Sequence, residues 1–96
     1  MQFMAIANVN PDRAATPPDA ELGETESQVV RGLYMDGLIR QIWVRGDHLG
    51  AYMIVEAASA DEAGDKLSAL PMVRDGFMLP PVIVPLEPYW GFGPRA

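Results

Sequence analysis

Leu38-Ile-Arg-Gln-Ile-Trp-Val-Arg45, Gly46-Asp-His-Leu-Gly50 and Ala51-Tyr-Met-Ile-Val-Glu-Ala57 follow one another without a break. The first and third runs are short, apolar and rich in β-branched and aromatic residues, which predicts two strands. The middle run is bracketed by glycines, which predicts the connection of a β-hairpin. On the N-terminal side, Phe3 to Val9 predicts a first strand ending at Asn10-Pro11. Thr16-Pro17-Pro18-Asp19 then predicts a helix start, with Thr16 as cap and Pro17 where a missing N–H costs nothing. That helix is expected to run to Met35, with irregular first turns around Gly23 and Gly37 as its left-handed terminator. On the C-terminal side, Ser59-Ala60-Asp61-Glu62 is a capping box. The helix it opens puts Ala63, Leu67 and Leu70 on one face, pairs Glu62 with Lys66, and stops at Pro71. A stretch punctuated by proline and glycine, Pro71 to Pro81, leads to a fourth strand, Val82 to Glu87, in which Pro85 marks an edge.

The order is β-α-β-β-α-β, two strand–helix–strand halves joined by the hairpin. It predicts an α+β fold with the ferredoxin-like split arrangement, one antiparallel sheet with both helices on one face. The strands are too apolar for the other face to meet water, so two sheets are expected to face each other in a dimer. The tail over residues 88–96 holds Tyr89, Trp90 and Phe92 with no regular period. Crossing onto a neighbouring subunit would bury these aromatics.

Composition narrows the function classes. The 96 residues are 49% hydrophobic and 21% charged, the balance of one domain, residues 1–96, folding around a core. No apolar run is long enough for a membrane span, and no basic region precedes the first apolar residues as in a secretory signal. A cytoplasmic protein is the expectation. A net charge of −6 argues against nucleic acid, which calls for a basic face. Zero cysteines exclude disulfides, thiolate nucleophiles and cysteine-ligated metals, and a single histidine excludes two-histidine metal motifs. No Gly-x-Ser-x-Gly elbow or phosphate-cradling glycine loop is present. The partners that remain are a small-molecule substrate and further copies of the chain.

Glu26 is the most informative residue. The apolar stripe of the first helix reads Leu22, Val29, Val30, Leu33, and Glu26 stands four after Leu22 and four before Val30. Buried there, its carboxyl gains proton affinity and becomes a useful base; at a frayed helix edge it reaches water instead. His48 sits in the hairpin beside Asp47, either as an acid/base group or as a solvated bystander. Tyr52 opens the third strand across the hairpin, near whatever His48 approaches, or packs there with its hydroxyl satisfied. Arg40 and Arg45 fall on opposite faces of strand two, and one of them pointing into an apolar pocket would hold a carboxylate. Trp43 is expected in the core or in a pocket wall.

Several segments together carry a family likeness. They are Glu26-Ser-Gln-Val-Val-Arg-Gly-Leu-Tyr-Met-Asp-Gly37, Ile42-Trp43, His48 to Tyr52, and Ser59-Ala-Asp-Glu-Ala-Gly-Asp-Lys-Leu-Ser-Ala-Leu70-Pro71-Met72. This pattern resembles the muconolactone isomerase family, with spacing that fits without gaps from Glu26 to Met72. The resemblance implies a ferredoxin-like fold whose dimers form an α/β barrel, often in larger rings, with C-terminal tails exchanged. It also implies chemistry without cofactor or metal, a proton moved across an unsaturated lactone to shift its double bond. By position Glu26 is the acid/base candidate, with His48, Tyr52 and Trp43 at or near the pocket. The chain departs from the pattern at three points. Met4 and Ile6 replace a histidine and a lysine, Val44 replaces an arginine after the tryptophan, and Val73-Arg74-Asp75-Gly76 replaces an aromatic–proline segment. A pocket with fewer polar groups should take a larger, less charged substrate.

The expected function is a cofactor-independent isomerase or cyclase acting on an unsaturated lactone, enol or polyketide-like substrate. Glu26 would be the base, Tyr52, His48 or Arg40 would stabilise the enolate, and Arg40 and Trp43 would bind substrate. Two other readings remain open. One is a cofactor-free monooxygenase of the same barrel type; the other is a binding or assembly module, which requires Glu26 in solvent and no enclosed pocket.

Overall fold

The computed structural model describes residues 1–93. Four strands, β1 (Gln2–Asn8), β2 (Ile39–Val44), β3 (Gly50–Glu56) and β4 (Val82–Pro85), form one antiparallel sheet in the order β2-β3-β1-β4. Three helices accompany it, α1 (Ala20–Met35), α2 (Ala60–Ser68) and α3 (Pro71–Asp75). This is the expected ferredoxin-like order with one added helix. No helix among the described residues is long and apolar enough to cross a membrane.

Side-chain alternation divides the sheet sharply. Phe3, Ala5 and Ala7 of β1 and Met53 and Val55 of β3 point toward the helices and are buried. Ala63, Leu67 and Leu70 close the core from above, as the apolar spacing of α2 requires. On the opposite face the register lines up Trp43, Tyr52, Ile6 and Val82 in one row across all four strands. Trp43 is 53% exposed and Tyr52 40%. Trp43 therefore lies neither in the core nor in the wall of a pocket under the helices, because Ile42 and Val44 take the helix-facing positions on either side of it.

The helix ends show where local rules compete. Asp19, not Thr16, caps α1, its side chain accepting from the Leu22 N–H at 2.8 Å. The reason is Pro18, whose ring disfavours helical backbone at Pro17 and delays the start. From Ala20 the helix is regular through Gly23, and Gly37 follows its C-terminal end at φ 87°, the left-handed position expected of it. Ser59 caps α2 by accepting from Glu62 N–H, while the Glu62 carboxylate accepts from Ala58 N–H, one residue beyond the reciprocal box. Hydrogen bonds with Lys66, first, and Ala58 hold the Glu62 carboxyl below its ordinary value. Pro71 does end α2, but it also begins α3, whose first turn tolerates a proline. β4 lies at the sheet edge as Pro85 demanded and stops at that proline, two residues short of expectation. Tyr89, Trp90 and Phe92 of the tail are exposed; positions 94–96 of the expected tail lie outside the described residues.

Ties hold the loop after β1 against the end of α3 and the residues that follow it. Asn10 N–H donates to the Phe77 carbonyl at 2.8 Å, and Arg13 pairs with Asp75 at 3.0 Å. Gly50 is the tightest point of the sheet, since a Cβ there would stand 2.2 Å from the Ala7 carbonyl oxygen. Gly50→Ala must push the hairpin away from β1. The expected loss is about 1–3 kcal/mol of stability, read as a lower urea midpoint.

Candidate functional site

A hollow of about 370 Å³ lies between the helix-facing side of the sheet and the helices, within the roughly 300–1,000 Å³ range of small-molecule sites. The sheet contributes Ala7, Ile42, Val44 and Met53, and α1 contributes Glu26, Ser27 and Val30. The far wall is Leu70 and Met72 to one side and Phe77 and Met78 to the other. His48 closes the hairpin end. Glu26 and His48 are the two titratable groups among the described lining residues.

Glu26 is half-buried, between the two positions its helical spacing allowed. The stripe it shares is itself only partly covered, with Val30 and Leu33 packed on the core and Val29 38% exposed. Its Oε1 accepts from the Met72 N–H at 3.0 Å. Leu70 precedes α3 without a side-chain cap of its own, so a carboxylate from α1 serves the first free amide of α3. Oε2 has no hydrogen-bond partner among the described residues. Burial raises the affinity of this carboxyl for its proton above the ordinary value; the Met72 N–H opposes the shift and does not cancel it.

His48 reaches the hollow through the shape of the turn. Its N–H donates to the Arg45 carbonyl, Asp47 Oδ1 accepts from Leu49 N–H at 3.0 Å, and His48 adopts the left-handed φ of 63°. Asp47 is fully exposed, and its carboxyl is held below its ordinary value by the Leu49 amide first and by Arg45 second.

The other expected site residues lie elsewhere. Tyr52 is paired directly with Trp43 on the open face of the sheet, so neither lines the hollow with Glu26. Their strand positions have the wrong parity for it. Arg40 sits at a bulge in β2, where the register shifts between Ile39 and Gln41, and lines a wider depression of about 810 Å³ near the C-terminal end of α1. That depression also holds the ion pair of Glu62 and Lys66 at 3.0 Å. Arg45 is turned to Asp47 and Asn8. Of the departures noted in the sequence, Val44 lines the hollow, whereas Met4 and Ile6 lie on the open face. Sequence reasoning missed Met72 and the Phe77-Met78 wall. A proline at the first position of a helix was the available signal for α3; nothing local announces that its amide faces Glu26.

Sheet order, helix placement and the hollow beneath the helices define a protein of the dimeric α+β barrel fold type. More narrowly, the family model of muconolactone delta-isomerase matches residues 1–90, and the chain belongs to that family. Among solved structures, 5-chloro-2-hydroxyhydroquinone dehydrochlorinase (TftG) from Burkholderia phenoliruptrix AC1100, in complex with 2,5-dihydroxybenzoquinone, is similar. The TM-score is 0.64 at 15% identity, over 91% of this chain and 94% of that one; the likeness is one of fold. A comparison with curated proteins finds no match.

Because the folded state raises the proton affinity of Glu26, it holds that proton more tightly than the unfolded chain does. Stability from this group is therefore greatest below the ordinary carboxylate value and falls as pH rises through the folded value. Glu26→Gln does not titrate. In urea titrations from pH 4 to pH 8 the wild-type midpoint should fall relative to that of Glu26→Gln, and a constant difference would contradict the burial of this carboxyl.

Proposed function

We propose that the protein is a cofactor-independent isomerase or cyclase that moves a proton on a small unsaturated lactone, enol or polyketide-like substrate. One observation carries the reading. A half-buried carboxylate with raised proton affinity, one oxygen held and the other unpartnered, lines an apolar hollow together with an imidazole. Family membership supports an isomerisation, and the quinone in the structural neighbour supports a ring-sized guest.

In this reading the Met72 amide orients the Glu26 carboxylate and leaves Oε2 to act as the base. Oε2 takes a proton from a carbon next to the substrate carbonyl. The electron pair of that C–H bond moves into the conjugated system, and an enolate forms. The neutral carboxylic acid then returns the proton to the far carbon, so the double bond moves with no net gain or loss of protons. His48, at the hairpin end, hydrogen-bonds the enolate oxygen. The apolar side chains of Val30, Ile42 and Phe77 lower the polarity around the charge as it develops and so strengthen each of these interactions. One placed acid/base group supplies roughly 10²–10⁴ in rate, which suffices for a substrate already acidic at carbon. Tyr52, Trp43 and Arg40 have no part in the proton path.

Trp43 and Tyr52 serve assembly instead. The row Trp43–Tyr52–Ile6–Val82 runs across all four strands, with Trp43, Tyr52 and Val82 exposed and Ile6 partly so. Two such faces packed together would form a homodimer, and the exposed aromatics of the tail would be buried by reaching across it.

Muconolactone methyl ester in deuterated water provides the test of the base. The wild type should drive deuterium into carbon, as followed by NMR, and Glu26→Gln should slow this by about 10²-fold or more. Wild-type kcat/KM should rise with pH through an apparent value above the ordinary carboxylate one, because the ionised form is the base. Unchanged exchange in Glu26→Gln removes Glu26 from the mechanism. For assembly, Trp43→Glu should convert the dimer to a monomer in sedimentation equilibrium, and a dimer of undiminished stability would exclude the open face as the interface.

A further inference from the structure

We infer that the hollow selects an uncharged guest and turns away carboxylate-bearing lactones. This rests on the reading of the hollow as the substrate site and adds the class of substrate it takes. Its described walls carry no lysine or arginine. Of the described cations, Arg13 is paired with Asp75 and Arg31 with Glu24, both at 3.0 Å, Arg45 with Asp47, and Lys66 with Glu62, while Arg74 of α3 carries no ion pair among the described residues and does not line the hollow. Arg40 lies in the other depression.

A guest with its own carboxylate would meet Glu26, an acid whose single hydrogen-bond donor is the Met72 amide. The one imidazole on the lining is matched by that one acid and leaves no positive surplus. The guest anion would also give up water for Val30, Ile42 and Phe77, an exchange that is costly for an ion without a partner. A neutral ring meets none of these costs. Its carbonyl can take the imidazole, its acidic carbon faces Oε2, and its apolar edges fit the walls. The overall charge of −6 acts in the same direction at longer range.

Muconolactone and its methyl ester differ only in the masking of one carboxylate, and their dissociation constants can be measured by NMR titration at pH 7.5 without reference to turnover. The ester should bind at least about tenfold more tightly, given the size of a like-charge interaction a few ångströms away in a partly screened site. Glu26→Gln, which removes the resident negative charge, should tighten the acid severalfold and so narrow the ratio between ester and acid. Val44→Arg is a second lever. Val44 lines the hollow yet is 68% exposed, so an arginine there can serve the site while keeping contact with water. It should tighten the acid about tenfold and not the ester. Equal or tighter binding of the acid by the wild type, binding of neither compound, or no response of the acid to either variant overturns the inference. Absence of deuterium exchange in the wild type, with the binding ratio intact, overturns the proton-transfer reading alone.

Discussion

A single hydrogen bond, from the Met72 amide to Glu26 Oε1, joins the parts of the molecule that make the hollow. It spans 46 positions of sequence and ties the middle of α1 to the start of α3. Because α3 begins with a proline and lacks a side-chain cap, its first free amide needs an acceptor from outside, and an unmet amide in a partly buried place is costly. The same bond limits how the carboxylate can turn. One oxygen is occupied, the other is left over, and burial keeps proton affinity high despite the donor. One contact thus closes the wall of the hollow and orients the carboxylate proposed as the base.

The sheet separates two tasks by parity. Along β2 and β3, Ile42, Val44 and Met53 face the helices and the hollow, while Trp43 and Tyr52 face the open side. A shift of one residue in register would exchange these sets. Gly50 guards against such movement, since β1 approaches too closely there for any side chain. The hairpin then carries His48 over the helix side through a left-handed turn stabilised by Asp47. One hairpin accordingly delivers an imidazole to the hollow and an aromatic pair to the surface proposed for assembly.

Charge is arranged with the same economy. Most cations are tied to acids on the periphery, and the hollow keeps one carboxylate among apolar walls. A base in such surroundings is strengthened by the lack of water and by the lack of a cation that would hold it ionised. In the proposed reading, the arrangement that strengthens the base is also the one that would disfavour an anionic guest, because both would follow from the same missing counter-charge.

Much of the architecture was legible in the residues. Apolar alternation, the glycine-bracketed hairpin, the Ser59 cap and Gly37 act within a few positions, so they specify four strands, two helices and their order wherever the chain finds itself. Helical spacing likewise put Glu26 on the sheet-facing stripe. What lay beyond reach was everything settled by partners distant in sequence. The depth of Glu26 depends on how loosely α1 rests on the sheet, its donor comes from α3, and the wall at Phe77 and Met78 is held by Asn10 and by the Met72 carbonyl. Tyr52 and Trp43 were misplaced relative to the hollow because periodicity says that neighbours alternate, not which set turns inward. Local physics thus determined the elements and their sequence, while the facing of each strand and the company of each side chain were decided only when those elements packed, because burial is a property of the whole assembly of elements and not of any one segment.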